Sequence, residues 1–287
     1  MVSELRARGV GETLDLAVAL YRSRFLKVLV RSACVVVPVQ VLSTIILLSA
    51  QPTSYTVNYL GQPQAQNDTK SALLLLTATI IVALISYTAS AVVVGLCARP
   101  YADAYIDQPG TWKRGTVGGS NVAGVLVCAL LVGFAYLAGF FFCGVGYFVA
   151  LTFFAATLPA LVLEGIGPLR AIGRSFTLTK SHFFRVLGVV ATAWFLQFVL
   201  NLAVASGVNL WLHHGAGSDA AVITQGFASA VSATITTPLI AAAAVAIYFD
   251  CRIRDEAFDV QLLMQRNDAR HAAPPSPPPA MQPAPAR

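Results

Sequence analysis

Charged residues are scarce in this sequence. Only 11% of its 287 residues are Asp, Glu, Lys or Arg, whereas 56% are apolar and the mean hydropathy is +0.70. Soluble domains carry about 25% charged residues, because their surfaces face water. The composition therefore excludes an ordinary soluble domain and indicates that lipid surrounds most of the chain.

Cysteine is also rare, and recognisable metal-ligand patterns are missing. The five cysteines share no CxxC spacing and no spacing bracketed by histidine, so the sequence predicts neither a disulfide framework nor a zinc site. The adjacent pair His213 and His214 is a weak pattern for a metal site. We therefore predict no cofactor.

Acidic residues are absent from the interior of the apolar stretches. All 13 Asp and Glu residues lie at the ends of these stretches, between them or in the termini. An ionisable group deep in a bilayer is costly and usually functional, so this distribution disfavours a proton-coupled carrier. Little length remains for a soluble catalytic domain. The sequence also contains no nucleophile elbow and no phosphate loop, and we expect no enzyme.

Six continuous apolar stretches are present, each long enough for a membrane-spanning helix of about 20 residues. They cover residues 29–50, 71–98, 121–141, 145–163, 184–208 and 222–249. Continuous runs favour helices over the alternating strands of a barrel. The predicted fold is all-α, an integral membrane bundle of six transmembrane helices with cytoplasmic interfacial helices.

Three regions follow from this pattern. Residues 1–28 are predicted to be a cytoplasmic N-terminus with an amphipathic interfacial helix, and residues 29–263 a six-helix membrane domain. Residues 264–287 are rich in proline and are predicted to be a disordered cytoplasmic tail, because they cannot bury enough surface to fold.

The orientation is predicted from the basic residues. With six spans and both termini inside, 18 of the 19 Lys and Arg residues fall on the cytoplasmic side, and only Lys70 falls outside. Cytoplasmic loops collect these residues because they are retained there during insertion. We therefore predict a multi-pass protein of the plasma membrane with cytoplasmic N- and C-termini.

Two segments before spans have helical amphipathic spacing, and they resemble each other. In the first, Leu14, Ala17, Val18, Tyr21 and Phe25 share a face; in the second, Ile172, Phe176 and Phe183 do. A shift of 158 positions aligns Leu20 with Leu178 and Phe25 with Phe183. The match predicts a parallel repeat of a surface helix and two spans around a central hairpin; chance similarity in a biased composition is the alternative.

Motifs at the cytoplasmic ends of the spans carry a family resemblance. In order, they are residues 11–17 (GETLDLA) with Leu20-Tyr21-Arg22 and Phe25, residues 158–164 (LPALVLE) with Ala171 and Arg174-Ser175-Phe176, Thr237-Pro238, and residues 248–254 (YFDCRIR). From about residue 10 to residue 263 the chain resembles the glycerophosphodiester phosphodiesterase membrane-domain family. The resemblance implies a stand-alone bacterial membrane module of actinobacterial type. The phosphodiesterase barrel and its catalytic residues are absent, so the resemblance does not imply hydrolysis.

Charged residues at the cytoplasmic boundary are the first set of candidate site residues. We expect them to pair across segments and to form a partner-binding face. The set comprises Glu12, Asp15, Arg22, Glu164, Arg170, Arg174, Asp250, Arg252 and Arg254, with Asp255 and Glu256 beside them.

Residues within the spans form a second set, with candidate roles as hinges or as a polar lining. Proline removes a backbone hydrogen bond and bends a helix, and polar side chains in spans usually bond between helices. The set comprises Pro38, Pro159, Pro238, Gln197, Asn201 and Thr234. We expect a hinge first at Thr236-Thr237-Pro238.

Our leading interpretation is a non-catalytic multi-pass membrane protein, acting as a scaffold or accessory module through partners at its cytoplasmic face. The partners expected are anionic lipid headgroups, which attract each Lys or Arg by about 1 kcal/mol, and a membrane or cytoplasmic protein. No nucleic acid is expected, since no soluble basic domain could hold a duplex.

Two other classes stay open. A transporter or transport accessory for a small or amphiphilic solute requires a continuous polar cavity that reaches Gln197, Asn201 and Thr234. An intramembrane lipid enzyme requires carboxylates or histidines that converge in one pocket.

Overall fold

Helices form at all six predicted apolar stretches. The computed structural model describes residues 9–50, 55–57, 63–65, 69–106, 120–141, 144–212, 218–258, 260–261 and 264. Within them the helices are α1 (Val10–Ser23), α2 (Phe25–Ser49), α3 (Thr69–Ile106), α4 (Ser120–Phe141), α5 (Val145–Phe154), α6 (Thr157–Glu164), α7 (Pro168–Lys180), α8 (Phe183–Leu212) and α9 (Ser218–Glu256). Six segments are long and apolar enough to cross a membrane, with α5 and α6 together counting as one. The all-α, multi-pass prediction is confirmed.

The segment between the first two spans contains two short strands. Strand β1 (Tyr55–Val57) pairs antiparallel with β2 (Pro63–Ala65), and Tyr55 lies opposite Ala65. Among the described residues, these two strands form the one sheet, and all other elements are helices.

Helix α9 lies at the centre of the bundle. In the most apolar 18-residue part of this span, 61% is buried inside the protein. The corresponding share is between 11% and 33% in the other five spans. Its C-terminal half is rich in alanine, from Ala241 to Ala246, and small residues let neighbouring helices approach closely. Tyr248 and Phe249 are fully buried there, and Phe249 stacks on Tyr105 of α3 with ring centroids 4.6 Å apart.

Helices α3 and α9 are longer than a bilayer requires. They contain 38 and 39 residues, or about 57 Å each at 1.5 Å per residue, whereas the hydrocarbon core is about 30 Å thick. Exposed large apolar side chains occur in their N-terminal halves, while their C-terminal halves are mostly buried. Helices α1 and α6 pack against both of these helices, and α7 packs against α9.

The second span continues beyond its predicted end at residue 98. Helix α3 runs on through Pro100 to Ile106, and Tyr101 and Ala102 are fully buried. Burial against neighbouring helices replaces lipid as the apolar environment there.

The helices that contain the two similar segments begin at matching positions. Helices α1 and α7 begin 158 residues apart, and so do α2 and α8. Gly9 and Gly167 precede α1 and α7 in the same extended conformation, and Leu20 and Leu178 are each 1% exposed. The surroundings differ, because α1 packs mainly on α9 whereas α7 packs mainly on α6, α5 and α4. The repeat itself stays a prediction.

The faces of α1 and α7 that pack on the bundle only partly coincide with the predicted apolar faces. Helix α1 buries Thr13, Leu16, Ala17 and Leu20, whereas Val18 and the first residue of α2, Phe25, are exposed. Helix α7 buries Ala171, Ser175, Leu178 and Thr179 and exposes Phe176. Leucine, small and hydroxyl residues thus face the bundle, and part of each predicted apolar face stays exposed.

The fourth span is broken in two by Pro159. Proline has no N–H for the carbonyl four residues earlier, and its ring clashes with that carbonyl; here that residue is Ala155, and α5 ends and α6 begins on either side of Ala155 and Ala156. The predicted hinge role of Pro159 therefore corresponds to a helix break. Pro38 and Pro238 lie within continuous helices.

Two left-handed glycines reverse the chain around this span. Gly144, with φ +75°, precedes α5, and Gly165, with φ +67°, ends α6. This conformation costs glycine little because it has no Cβ. Pro168 then begins α7 at a position where no backbone donor is needed.

Candidate functional site

Five side chains at one end of the bundle form a closed ring of hydrogen bonds. Glu164 Oε1 accepts bonds from Arg174 Nε at 3.1 Å and from the Tyr248 hydroxyl at 3.0 Å. Arg174 also pairs with Glu256. Arg252 closes the ring, donating from Nε to Glu256 at 2.8 Å and from its terminal nitrogen to the Tyr248 hydroxyl at 3.0 Å. We call these five residues the ionic ring.

Local sequence places the members of the ionic ring. Tyr248, Arg252 and Glu256 are spaced four residues apart and so share one face of α9, while Glu164 ends α6 and Arg174 lies on α7. The reversal at Gly165 brings α6 and α7 together. The ring therefore ties three helices to one another.

The ring is partly withdrawn from water. The side chains of Arg174, Glu164, Glu256 and Arg252 are between 14% and 27% exposed. Desolvation alone would lower the pKa of Arg174, but the hydrogen bonds that it donates to Glu256 and Glu164, together with their negative charges, outweigh desolvation and raise that pKa above its ordinary value. The guanidinium of Arg252 also lies 4.2 Å from the ring centroid of Phe258, within range of a cation–π contact.

One further ion pair and one hydrogen bond flank the ring. Arg254 Nε donates to Asp250 at 3.0 Å on α9, and His182, in the turn between α7 and α8, lies 2.9 Å from Asp255. These contacts add the start of α8 to the same end of the bundle. We call this region, from the end of α6 through α7 and the start of α8 to the last turns of α9, the charged end.

The predicted boundary residues are divided between this network and the outer surface. Glu164, Arg174 and Arg252 belong to the ring, and Asp250 pairs with Arg254. Glu12 accepts a hydrogen bond from the Gly9 N–H at 3.1 Å, at the start of α1. Asp15, Arg22 and Arg170 are exposed on the outward faces of α1 and α7.

A cavity of about 280 Å³ lies inside the bundle. Helices α3, α4, α5, α6, α8 and α9 all contribute to its wall, which is mostly apolar. Tyr87, Tyr136 and Tyr147 form an aromatic cluster on one side, with centroid distances of 5.2 and 5.8 Å between successive rings. Trp194 and Gln197 of α8 complete this part of the wall. We call this space the central cavity.

The three predicted lining residues do not share one space. Gln197 lines the central cavity, whereas Thr234 lines a second, almost wholly apolar groove of about 600 Å³ between α2 and α9. Asn201 lines neither of these two and joins α8 to α9, since its Oδ1 accepts a hydrogen bond from Ser232 at 3.0 Å. The continuous polar cavity required for the transporter prediction is thus only partly present in the described residues.

The central cavity meets the broken span and the proline of α9. Ala155, at the break before Pro159, lines it, and so does Thr237, which precedes Pro238. Near the break, the Phe153 carbonyl accepts hydrogen bonds from Ser175 at 2.6 Å and from Thr179 at 3.3 Å, both on α7. Around Pro238, within the continuous helix α9, the hydroxyls of Tyr101 and Tyr21 donate to the carbonyls of Pro238 and Ile235. Hydroxyl groups of neighbouring helices thus bond to backbone carbonyls near both prolines.

No family model, curated protein or solved structure matches this chain. The family resemblance therefore stays a prediction. Among the described residues, no three His, Cys, Asp or Glu side chains are grouped to hold a metal ion. His213 and His214 lie outside the described residues, as does most of the proline-rich tail.

Sequence reasoning missed Tyr248 and His182 as members of the charged end. The four-residue spacing of Tyr248, Arg252 and Glu256 is a usable signal, because it predicts one shared helix face. No comparable signal exists for His182, whose partner Asp255 is 73 residues away.

Proposed function

We propose that this chain is a multi-pass module of the plasma membrane that acts through partners bound at a cytoplasmic charged end. Both termini lie on the cytoplasmic side in this proposal, and the chain itself carries out no reaction. The observation that supports it best is the ionic ring, which fixes α6, α7 and α9 relative to one another. Its charged groups are engaged with each other, so the outward faces of α7 and α1 are the surfaces available to partners.

The outward face of α7 has the composition of a lipid-contacting surface. Leu169 is 73% exposed and Phe176 is 48% exposed, and the basic residues Arg170 and Lys180 are exposed near them. Apolar groups beside cations favour the boundary between acyl chains and anionic headgroups. We propose anionic phospholipid as the partner of this face.

The outward face of α1 has a different charge pattern. Glu12 and Asp15 are exposed in its first turns, and Val18 and Arg22 follow along the same side. Carboxylates near anionic headgroups are unfavourable, so this face suits a protein partner with complementary basic groups. A scaffold role would use both faces together.

Charge reversal on α7 tests the proposal. Arg170→Glu combined with Lys180→Glu should reduce the anionic phospholipid that co-purifies with the protein, measured by native mass spectrometry, by at least half. Crosslinking in native membranes should recover the same protein partner from the parent chain and lose it after Asp15→Lys.

A matched control is available at the other end of the bundle. Lys70 is exposed at the start of α3, and Lys70→Glu makes the same type of charge change far from α7. This change should alter neither the amount of anionic phospholipid that co-purifies nor the recovery of the crosslinked protein partner. Equal losses in all variants, or no partner and no retained anionic lipid in the parent protein, would contradict the proposal.

We also propose, from residues of the ionic ring, that the chain belongs to the glycerophosphodiester phosphodiesterase membrane-domain family. Glu164, Arg174, Tyr248 and Arg252 come from motifs that are well separated in the sequence, and they meet in the ionic ring. Their convergence supports reading the motifs as one structural unit. A transporter or transport accessory is the second candidate function, and the central cavity is the observation that favours it.

A further inference from the structure

The central cavity contains a hydroxyl group that lacks a partner. Thr157 is the first residue of α6 and is only 1% exposed. Thr157 is one of the residues that line this space, and its Oγ1 is buried and has no hydrogen-bond partner among the described residues. A buried polar group without a partner costs about 1–3 kcal/mol, so a group that arrives in the cavity and bonds to it is stabilised.

The aromatic wall adds further hydroxyl groups. Tyr87, Tyr136 and Tyr147 all line the cavity, with their rings in edge-on contact. A tyrosine or threonine hydroxyl can donate one hydrogen bond to an oxygen of a bound molecule. Together with Thr157, these tyrosines make four residues of the wall that carry such a hydroxyl.

The charge of the lining residues and the volume of the central cavity limit which molecules it can bind. None of the described residues that line the cavity is charged, and a charged ligand would pay its desolvation without an ionic partner. The volume of about 280 Å³ is about nine times the roughly 30 Å³ that a water molecule occupies in the liquid, and it approaches the smaller ligand pockets.

The helix break lies at this cavity. Non-helical backbone at membrane depth is tolerated where it is buried or lines a cavity, and interrupted spans often form the binding sites of membrane proteins. Ala155 and Thr157 flank the break before Pro159, and both line the cavity. The position of the break therefore points to the same site as the donors do.

We propose that the central cavity binds a small neutral molecule with an aromatic or other apolar body and a carbonyl or similar acceptor oxygen, which Thr157 and the tyrosine hydroxyls recognise. This site is separate from the charged end. Its existence does not depend on the partners proposed there, and either proposal can fail alone.

The test uses quenching of Trp194 by brominated probes. The full chain in lipid nanodiscs carries Trp112→Phe and Trp211→Phe, which leave Trp194 as the one tryptophan of the three in the sequence. The probes are 4-bromoacetophenone, 1-bromo-4-ethylbenzene, which lacks the carbonyl, and 4-bromobenzoate, which is an anion at neutral pH. We expect saturable quenching by the ketone, at least fivefold weaker binding of the hydrocarbon, and no saturable binding of the anion.

Variants connect the binding to the cavity. Thr157→Val should weaken ketone binding about fivefold. The matched control is Thr152→Val, because Thr152 is also buried in this span but its hydroxyl already donates to the Phe148 carbonyl at 2.8 Å and does not line the cavity. If the Thr157→Val variant does not fold, the Gln197→Leu variant is used in its place, and it should also bind the ketone more weakly.

The outcomes separate the possibilities. Saturable ketone quenching that falls in Thr157→Val but not in Thr152→Val supports the site. Quenching that rises linearly with probe and is equal in all variants reflects partition into lipid and overturns it. Equal binding of ketone and hydrocarbon, or preferred binding of the anion, overturns the assigned ligand class.

Discussion

At the scale of single residues, the degree of burial decides how much the charged end contributes to stability. Exposed ion pairs contribute about 0–1 kcal/mol, whereas removing one partner of a fully buried pair costs about 3–5 kcal/mol. The side chains of Glu164 and Arg174 are 20% and 27% exposed and each bonds to two other residues. We therefore expect the ion pair of Glu164 and Arg174 to contribute to the free energy of unfolding by an amount between these two limits.

A double-mutant cycle measures that contribution. Glu164→Gln and Arg174→Gln should each destabilise the protein, and the pair should show a coupling energy of about 1–2 kcal/mol, because the second change removes a bond that the first has already broken. Unfolding in mixed micelles by titration with dodecyl sulfate gives the free energies. Asp15→Asn, an exposed carboxylate on α1, serves as the control and should show no coupling with Arg174→Gln. A coupling energy near zero between Glu164→Gln and Arg174→Gln would mean that their ion pair in the ionic ring does not stabilise the protein.

At the scale of elements, α7 caps the broken span. Its buried face carries Ser175 and Thr179 because their hydroxyls donate to the Phe153 carbonyl near the end of α5. The last carbonyls of a helix have no partner within it. This explains why α7 turns hydroxyl residues towards the bundle and leaves Phe176 exposed.

Removing the capping hydroxyl should loosen the break. Ser175→Ala should lower the free energy of unfolding by about 1 kcal/mol and speed hydrogen exchange in α5 and the first turn of α6. Thr177→Ala is the matched control, since Thr177 lies on the exposed face of α7 and its hydroxyl bonds only to Gly173 within the helix. Equal effects of the two changes on stability and exchange would show that α7 does not cap α5.

The sequence predicts the spans well and their contacts poorly, for physical reasons. Apolar length identifies all six spans, because that signal is local. Proline alone does not identify the span that breaks: we expected a hinge first at Thr236-Thr237-Pro238, where α9 is continuous, whereas the helix breaks before Pro159. Periodicity identifies the apolar faces of α1 and α7 but not the faces that pack on the bundle, since it weights apolar residues and overlooks small and hydroxyl residues such as Thr13 and Ser175. The ionic ring needs contacts between α6, α7 and α9, and no local pattern specifies which helices become neighbours.

At the scale of the whole molecule, the basic residues and the fold indicate the same polarity. Lys70 lies at the N-terminal end of α3, while the other half of that helix packs with α6 and α9 close to the charged end. The one basic residue predicted to lie outside is therefore separated from Arg170, Arg174 and Lys180 by the length of the bundle. This arrangement is what retention of Lys and Arg in the cytoplasm would produce.

Labelling of single cysteines tests that polarity directly. In a chain whose five cysteines are replaced by alanine, Lys70→Cys and Lys180→Cys place thiols at two exposed positions on opposite ends. A membrane-impermeant maleimide should label position 70 in intact cells and position 180 only after permeabilisation, because an orientation with 18 of the 19 Lys and Arg residues inside is favoured. A third variant, Arg170→Cys, checks that α7 lies on the same side as position 180. Labelling of positions 170 and 180 in intact cells would put the charged end outside the cell, and cytoplasmic partners would then have no access to it.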